Sequence, residues 1–348
     1  MSHVLAVNQL DVTLDNQSIL NNISFSLSRG EILGLVGPSG CGKTTLLNTI
    51  AGFIAQQSGE IIIDGTSIDA TNLLAPEKRH VGMIFQDYAL FPHLTVRQNI
   101  AFGLKSLTKE QRIIRVDDLL ALLKLEDYSE RFPHQLSGGQ QQRVAIARAI
   151  APQPKLLLLD EPFSNIDARL RQALMLELRQ LLKSLDMTAI FVTHNKDEVF
   201  TFADKMAVMS AGTILQFGSP SMLCQQPNSY QVADFLQLGS WLPCKVVEGQ
   251  LITCISQFEI SLPLERSQSS ALLVKPQHLS IEANTNSKLC VSNISVTEQG
   301  FHYLLTSEND QDDLAIHQLS VYSEQVFTLG DKVAVEIKPH DYLIFATP

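Results

Sequence analysis

The chain has 348 residues, of which 45% are hydrophobic and 18% charged, and its formal net charge is −10 at pH 7. This length exceeds what one core usually supports and predicts two domains of a globular protein. The acidic balance argues against broad nucleic-acid binding, which needs a basic surface. Five scattered cysteines without a Cys-x-x-Cys pair argue against a zinc site or a disulfide framework.

No segment of the sequence predicts a membrane span or a signal peptide. The first residues include Asp11 and lack a long apolar run. No apolar run reaches the roughly 18 residues that a spanning helix needs. Any membrane role is therefore expected to come through a partner.

The first fifty residues predict antiparallel strands followed by a strand, a loop and a helix. Apolar and polar residues alternate over 1–30, which is typical of half-buried strands. The mostly apolar run 31–37 predicts a buried strand that feeds a loop. The segment 43–52 then predicts a helix that ends at Gly52.

Alternating helices and buried strands continue through the middle of the chain. Apolar residues at helical spacing predict helices over 109–125, 137–150 and 167–185. Two further buried strands end in polar residues, at Asp160 and at His194. This alternation predicts a parallel sheet with its site along the carboxyl edge of the strands.

The character of the sequence changes near residue 238. Beyond it, short alternating segments separated by turns replace the helical periodicity. The pattern predicts a small all-β domain, an OB-like barrel, over 239–348. The remaining residues, 1–238, form the predicted first domain.

A phosphate-binding loop stands at 37–45, "GPSGCGKTT". Its spacing satisfies G-x-x-x-x-G-K-[ST] between a predicted strand and a predicted helix, which disfavours a functionless turn. Backbone N–H groups and the helix N-terminus favour phosphate oxygens, Lys43 is expected to reach the β- and γ-phosphates, and the Thr44 hydroxyl is expected to bind Mg²⁺. The predicted binding residues are Gly37, Pro38, Ser39, Gly40, Cys41, Gly42, Lys43, Thr44 and Thr45.

Polar residues at the ends of apolar runs supply the candidate chemistry. Asp160 suits a holder of Mg²⁺, and Glu161 suits a general base for an attacking water, although a solvated acidic turn is the alternative. His194 is expected to contact the γ-phosphate and Glu161, whereas a lone histidine is more often structural. Gln86 follows "VGMIF" and is expected to bind Mg²⁺ or water, unless it is an ordinary surface glutamine.

A second glycine element, "LSGGQ" at 136–140, opens the helix predicted over 137–150. Ser137 at the N-cap and Gln140 three residues later form a capping box, so a well-capped helix is one reading. Gly138 and Gly139, however, leave the first-turn N–H groups uncovered by side chains. An open helix N-terminus is an anion site.

In combination, these motifs resemble the ATP-binding subunits of ABC transporters. The resemblance covers most of 1–238 and follows the family order: phosphate loop 37–45, Gln86, signature 136–140, Walker B 156–160 with Glu161, D-loop 164–167 and switch His194. It implies an α/β P-loop fold with a mixed core sheet, an antiparallel β subdomain and a helical subdomain over about 88–155.

The resemblance also implies how ATP acts. Two copies would pack head to tail as a homodimer, with ATP and Mg²⁺ held between them. Ser137, Gly138, Gly139 and Gln140 of one copy would close over the γ-phosphate bound by the other. At Leu14, where the family commonly stacks an aromatic residue on adenine, this chain departs from the pattern.

The tail 239–348 resembles the regulatory (TOBE-like) domain of importer ATPases, through "LLVKPQHLSI" at 272–281. A β-barrel that only stabilises a dimer is the alternative. The resemblance further implies that the segment 86–103 contacts integral membrane permease subunits. The candidate contacts are Tyr88, Leu90, Phe91, Pro92 and His93.

Among importers, the resemblance is closest to ferric-iron ATPases; polyamine, sulfate, molybdate, phosphonate and sugar importers remain alternatives. It implies a peripheral subunit at the cytoplasmic face of the inner membrane, served indirectly by a periplasmic substrate-binding protein. A non-transport ABC ATPase in DNA repair or translation is disfavoured, because coiled-coil insertions and zinc modules are absent from the sequence. A nucleotide sensor without hydrolysis is disfavoured by Lys43, Asp160, Glu161 and His194.

Overall fold

A computed structural model describes residues 3–164, 166–247, 250–259, 270–297, 300–307, 316, 318–338 and 342–346. The chain forms two compact units, Met1–Gln225 and Gln226–Pro348. The functional division after residue 238 stays a prediction. No helix in these described ranges combines the length and the apolar character that crossing a membrane requires.

The core of the first unit is a six-stranded sheet in the order β10-β9-β3-β8-β7-β6. Its strands are β3 (Ile32–Val36), β6 (Val81–Ile84), β7 (Leu156–Asp160), β8 (Thr188–Val192), β9 (Lys205–Ser210) and β10 (Thr213–Gly218). All neighbours pair in parallel except β10, which is antiparallel to β9. The leucines of β7 are completely buried, as expected of a central parallel strand. The predicted sheet is confirmed.

An antiparallel sheet, β2-β1-β4-β5, covers one side of this core. Its strands are β1 (His3–Leu14), β2 (Gln17–Ser28), β4 (Ser58–Ile63) and β5 (Thr66–Asp69). Asp15 and Asn16 join β1 to β2 with φ of 49° and 62°. Positive φ at both turn residues is the type I′ geometry that matches strand twist, and Asx residues tolerate it. Leu5, Leu33 and Leu46 share one buried cluster, so the two sheets and the phosphate-loop helix form one core.

The described helices are α1 (Lys43–Ala51), α2 (Val96–Ala101), α3 (Lys109–Leu122), α4 (Gly138–Ile150), α5 (Ala168–Ser184), α6 (Lys196–Phe202), α7 (Pro220–Gln225) and α8 (Tyr230–Phe235). Capping boxes at Thr95, Thr108 and Ser137 start α2, α3 and α4. The helix predicted over 109–125 ends early, because Lys124 adopts a φ of 56° that a helix does not allow.

After α8, the described part of the second unit is mainly antiparallel β structure, which confirms the predicted β-rich tail. Its sheets have the orders β13-β12-β11-β14-β20, β15-β19 and β16-β17-β18. The strands are β11 (Ser240–Val247), β12 (Gln250–Thr253), β13 (Gln257–Glu259), β14 (Ser270–Val274), β15 (Leu279–Ala283), β16 (Leu289–Thr297), β17 (Gly300–Ser307), β18 (Leu319–Ser323), β19 (Val333–Ile337) and β20 (Leu343–Ala346). Leu242, Leu272 and Tyr303 lie in its buried core.

Asp204 ties α5 to the central sheet. Its carboxylate accepts hydrogen bonds from the Ile32 amide at 2.9 Å and the Arg179 guanidinium at 2.7 Å, and it pairs with Lys183. Burial raises the pKa of Asp204, but the hydrogen bonds from Lys183, Ile32 and Arg179 outweigh burial and lower the pKa below its ordinary value. The ionised form is therefore the one that the fold stabilises.

Replacing Asp204 with alanine is expected to cost about 2 kcal/mol of stability at pH 7, because hydrogen bonds to a charged group are lost. A lowered folded pKa stabilises above the unfolded pKa of about 4, so the difference should shrink as the pH falls below that value. Urea unfolding followed by circular dichroism at pH 7 and pH 3.5 measures both effects. Asp186→Asn, which removes the charge from an exposed pair with Arg29 and keeps a residue type that tolerates the φ of 49° there, is the matched control and should change stability little.

Candidate functional site

The phosphate loop connects the buried strand β3 to helix α1. Gly42, the N-cap of α1, has a φ of 102°, and a Cβ there would lie 2.7 Å from Leu20 Cδ2. At Gly37 a Cβ would lie 2.2 Å from the Met209 carbonyl oxygen. Both positions therefore require glycine. Pro38, Ser39 and Gly40 form the exposed crest of the loop, and the buried residues are Cys41, Gly42 and Lys43.

Lys43 reaches back over its own loop. Its side chain is 8% exposed, and Nζ donates to the carbonyls of Gly37 at 2.8 Å and Pro38 at 2.9 Å. The Cys41 sulfur lies 3.7 Å from the same nitrogen. The Lys43 ammonium group therefore lies at the centre of the loop that the sequence predicts to bind a triphosphate. Thr45, half-buried, follows in the first turn of α1.

Thr44 and Asp160 meet at the carboxyl edge of the sheet. The Thr44 hydroxyl donates to Asp160 Oδ1 at 3.4 Å. Burial raises the pKa of Asp160, the Thr44 hydrogen bond and Lys43 lower it, and the Glu161 carboxylate raises it further, with a net rise. A nearby cation would favour the ionised form. A hydroxyl and a carboxylate at one point are the oxygen donors that Mg²⁺ prefers, so these residues fit that ion.

Glu161 lies between the other two candidates for chemistry. Its Oε2 accepts a hydrogen bond from Gln86 Nε2 at 3.3 Å, and its Oε1 lies 3.3 Å from His194 Nδ1. The Glu161 side chain is 26% exposed and that of His194 is 66% exposed, so water reaches both. The structure therefore brings together Glu161, His194 and Gln86, which come from three separate strand ends.

The Glu161 backbone is held in an uncommon conformation. Its φ is 45°, and its N–H donates to the Val192 carbonyl of β8 at 3.0 Å. A non-glycine residue pays for a left-handed φ, and the neighbouring strand here supplies the compensating hydrogen bond. The contact fixes the direction in which Glu161 leaves β7.

The signature segment opens helix α4 as the sequence predicts. Gln140 Oε1 accepts from the Ser137 amide at 2.9 Å, and Ser137 Oγ accepts from the Gln140 amide at 3.4 Å. A Cβ on Gly138 would meet no atom within 4 Å, so this side of the helix start is open. Gly139 faces Leu170 and Leu174 of α5. The helix start is thus supported on one side and accessible on the other.

Gln141 and Gln142, which follow Gln140 in helix α4, anchor this helix to neighbouring segments. Gln141 Nε2 donates to the Pro133 carbonyl at 3.0 Å, and the buried Gln142 donates to the Pro162 carbonyl at 3.1 Å. Pro162 directly follows Glu161, so the signature helix is attached to the end of β7. Arg143 pairs with Glu177 of α5 at 2.8 Å.

Arg148 has a role that sequence reasoning missed. Its guanidinium donates to the carbonyls of Ala89 at 2.6 Å and Tyr88 at 2.9 Å, and it lies 5.3 Å from the centroid of the Phe91 ring. Tyr88 and Ala89 have φ of 62° and 45°, so the chain turns sharply after Gln86. The signature helix therefore fixes the segment that follows Gln86. No spacing in the sequence links Arg148 to residues this far upstream.

The structure sorts the predicted permease contacts by accessibility. Tyr88 is 4% exposed, which removes it from the accessible surface. Leu90 and Phe91 are partly buried, whereas Pro92 and His93 are exposed. Leu14 is 37% exposed at the end of β1, and its adenine role stays a prediction. In the D-loop, Asn165 lies outside the described residues.

A phosphate loop, a carboxylate pair and a flanking histidine and glutamine at one sheet edge define the class of P-loop nucleotide-binding proteins. The family model described as ABC transporter matches residues 20–164. An Fe(3+) ions import ATP-binding protein of Haemophilus influenzae is 38% identical over 95% of this chain and 94% of that protein. A spermidine/putrescine import ATP-binding protein of Clostridium novyi is 38% identical over 93% and 92%.

Among solved structures, cbiO1 from Clostridium perfringens, part of the ABC transporter complex cbiONQ, is similar. It has a TM-score of 0.60 and 30% identity, and the match covers 68% of this chain and 96% of that one. The chain belongs to the ABC transporter family, as an ATP-binding subunit of the import type. It binds ATP and is an ATPase.

Arg148→Ala is expected to loosen the segment 86–91. Losing two hydrogen bonds from a charged donor costs about 2 kcal/mol locally, which corresponds to about 30-fold faster amide exchange there. Hydrogen-exchange mass spectrometry measures this directly, and exchange over 37–45 should not change. Equal acceleration in both segments would contradict the local role.

Proposed function

We propose that this chain powers the uptake of ferric ion by closing and opening as an ATP-driven homodimer. The observation that carries hydrolysis is the Glu161 carboxylate held 3.3 Å from both Gln86 and His194, beside the phosphate loop. The similarity to Haemophilus influenzae proteins named for Fe(3+) import extends over both units of the chain and supports this cargo.

In the proposed reaction, Glu161 is the general base that takes a proton from the attacking water. Gln86 and His194 hold its carboxylate from two sides, so its oxygens have a fixed direction. Lys43 and the N–H groups of 37–45 hold the triphosphate. Thr44, Asp160 and Gln86 are the proposed ligands of Mg²⁺, which when bound would neutralise charge on the phosphates.

The second half of the site is proposed to come from another copy of the chain. Ser137 and Gly138 are exposed, and the open side of Gly138 leaves the N–H groups of α4 accessible to an anion. Gly139 and Gln140 complete this surface. ATP bound to the phosphate loop of one copy would then join the two copies head to tail, and hydrolysis would release them.

The proposed partners are permease subunits, which would dock on the segment 86–103. Of the five candidate contacts, Pro92 and His93 are exposed, and Arg148 holds the turn that precedes them. The chain would thus work as a peripheral subunit at the cytoplasmic face of the inner membrane, with a periplasmic substrate-binding protein as an indirect partner.

Residues 239–348 are the proposed regulatory domain. Leu14 is the proposed, purely aliphatic contact to adenine.

A polyamine cargo is the second candidate, because the Clostridium novyi relative named for spermidine/putrescine import also matches both units. Uptake of labelled ferric ion and labelled spermidine, compared in cells with and without the chain, separates the two. Loss of ferric uptake alone supports the proposal. Loss of spermidine uptake alone refutes the ferric assignment and leaves the ATPase mechanism standing.

Glu161→Gln is expected to bind ATP normally and hydrolyse it at least about a hundredfold more slowly, because the base is removed while the shape is kept. ATP binding and phosphate release, measured separately, distinguish these effects. Normal turnover would show that Glu161 is not the base.

Ser137→Arg is expected to abolish ATP-dependent dimerisation without weakening ATP binding by the monomer, since a large cation would cover the open helix start. Light scattering of the Glu161→Gln protein with ATP, with and without Ser137→Arg, tests this. Dimers that persist in the double variant would rule out the composite site.

A further inference from the structure

A buried carboxylate, Glu198, lies behind the catalytic histidine and has no part in the proposed hydrolysis. It stands on α6 and is 5% exposed. Its Oε2 accepts a hydrogen bond from Thr193 Oγ1 at 2.7 Å. Thr193 precedes His194, and its hydroxyl also accepts from the Asn195 amide at 3.0 Å. The Thr193 hydroxyl therefore connects Glu198 to Asn195, so the residues before and after His194 are both held in place.

The second carboxylate oxygen of Glu198 faces Arg171 of α5. Arg171 Nη1 lies 3.7 Å from Glu198 Oε1, and Arg171 Nη2 donates to the Ile166 carbonyl at 2.9 Å. Ile166 belongs to the segment 164–167, which follows Glu161. The Arg171 guanidinium therefore contacts both the Ile166 carbonyl, in the segment after Glu161, and the Glu198 carboxylate.

The electrostatics of this pair reach the catalytic groups. Burial raises the pKa of Glu198, while the Thr193 hydrogen bond, Arg171 and His194 lower it, and Glu161 raises it, with a net rise. The charged and titratable groups that act on Glu198 are thus Arg171, His194 and Glu161. In a site of low dielectric, such interactions are stronger than in water.

A buried ion pair adds little net stability, because desolvation offsets the attraction. The consequence of this pair is instead a fixed geometry between two segments. We propose that Arg171 and Glu198 are positioning residues that couple the backbone at Ile166 to the orientation of His194. When the backbone at Ile166 shifts, the guanidinium of Arg171 moves with it, and Glu198 carries the shift through Thr193 to the histidine. This inference rests on the proposed roles of Glu161 and His194.

The first test is a double-mutant cycle in the full-length chain. Glu198→Gln keeps the shape and an acceptor for Thr193 but removes the charge. In the wild-type background it should lower single-turnover ATP hydrolysis about ten- to hundredfold, the scale of a misplaced group, with the KM for ATP unchanged. In a His194→Ala background the same change should alter the rate by no more than about twofold. Equal losses in both backgrounds would overturn the inference.

Matched variants separate positioning from folding. Thr193→Val removes the hydroxyl at similar volume. It should lower the rate in the wild-type background and change it little in the His194→Ala background, as Glu198→Gln does. Thr193→Ser keeps the hydroxyl and should keep the wild-type rate. Asp186→Asn removes an exposed carboxylate from its pair with Arg29 and should leave the rate unchanged. A loss with Thr193→Ser as large as with Thr193→Val would contradict the role of the hydroxyl.

The coupling is also measured without activity. Glu198→Gln should accelerate amide exchange at 193–195 and, through Arg171, at 166–167. Acceleration at 193–195 alone would refute the link to Ile166. The Glu161→Gln protein distinguishes failure of the proposed function from failure of this inference. If Glu161→Gln hydrolyses ATP at the normal rate, the proposed function fails. If Glu161→Gln is slow and Glu198→Gln hydrolyses ATP at the normal rate, only the positioning role of Arg171 and Glu198 is rejected.

Discussion

The burial of β7 between β6 and β8 is the constraint on which the site depends. Its leucines have no contact with water, so the first polar residues of the segment, Asp160 and Glu161, emerge only where the strand ends. The parallel pairing of β3, β7 and β8 brings their carboxyl ends to one edge. Phosphate loop, acids and histidine therefore meet because the apolar strands cannot slip without exposing their cores.

Around this edge, single side chains connect segments that must act together. Gln142 attaches the signature helix to Pro162, next to Glu161, and Arg148 fixes the turn after Gln86. Arg171 reaches from α5 to Ile166 and Glu198. In three of these contacts a side-chain amide or guanidinium donates to a backbone carbonyl, and Arg171 also forms an ion pair with the buried Glu198 carboxylate at 3.7 Å. Such contacts link the segments because each joins one defined donor to one defined acceptor.

These connections explain how one nucleotide could control two surfaces. Gln86 and His194 flank Glu161, the proposed base, and the start of α4 is open on the side of Gly138. A γ-phosphate shared between two copies would pull on α4, and α4 holds the 86–91 turn through Arg148. The proposed motor needs no long-range deformation, because every step passes through a direct contact.

The motifs, the strand ends that carry them, the capping box at Ser137 and the β-rich tail can all be predicted from the order of the residues. These features are local: residue spacing and periodicity encode them directly. The expected contact between His194 and Glu161 is also present. The contact of Gln86 with Glu161, the burial of Tyr88 and the bridges made by Arg148 and Arg171 depend instead on how the elements pack. A long flexible side chain can meet many partners, and the packing of helices against the sheet selects one.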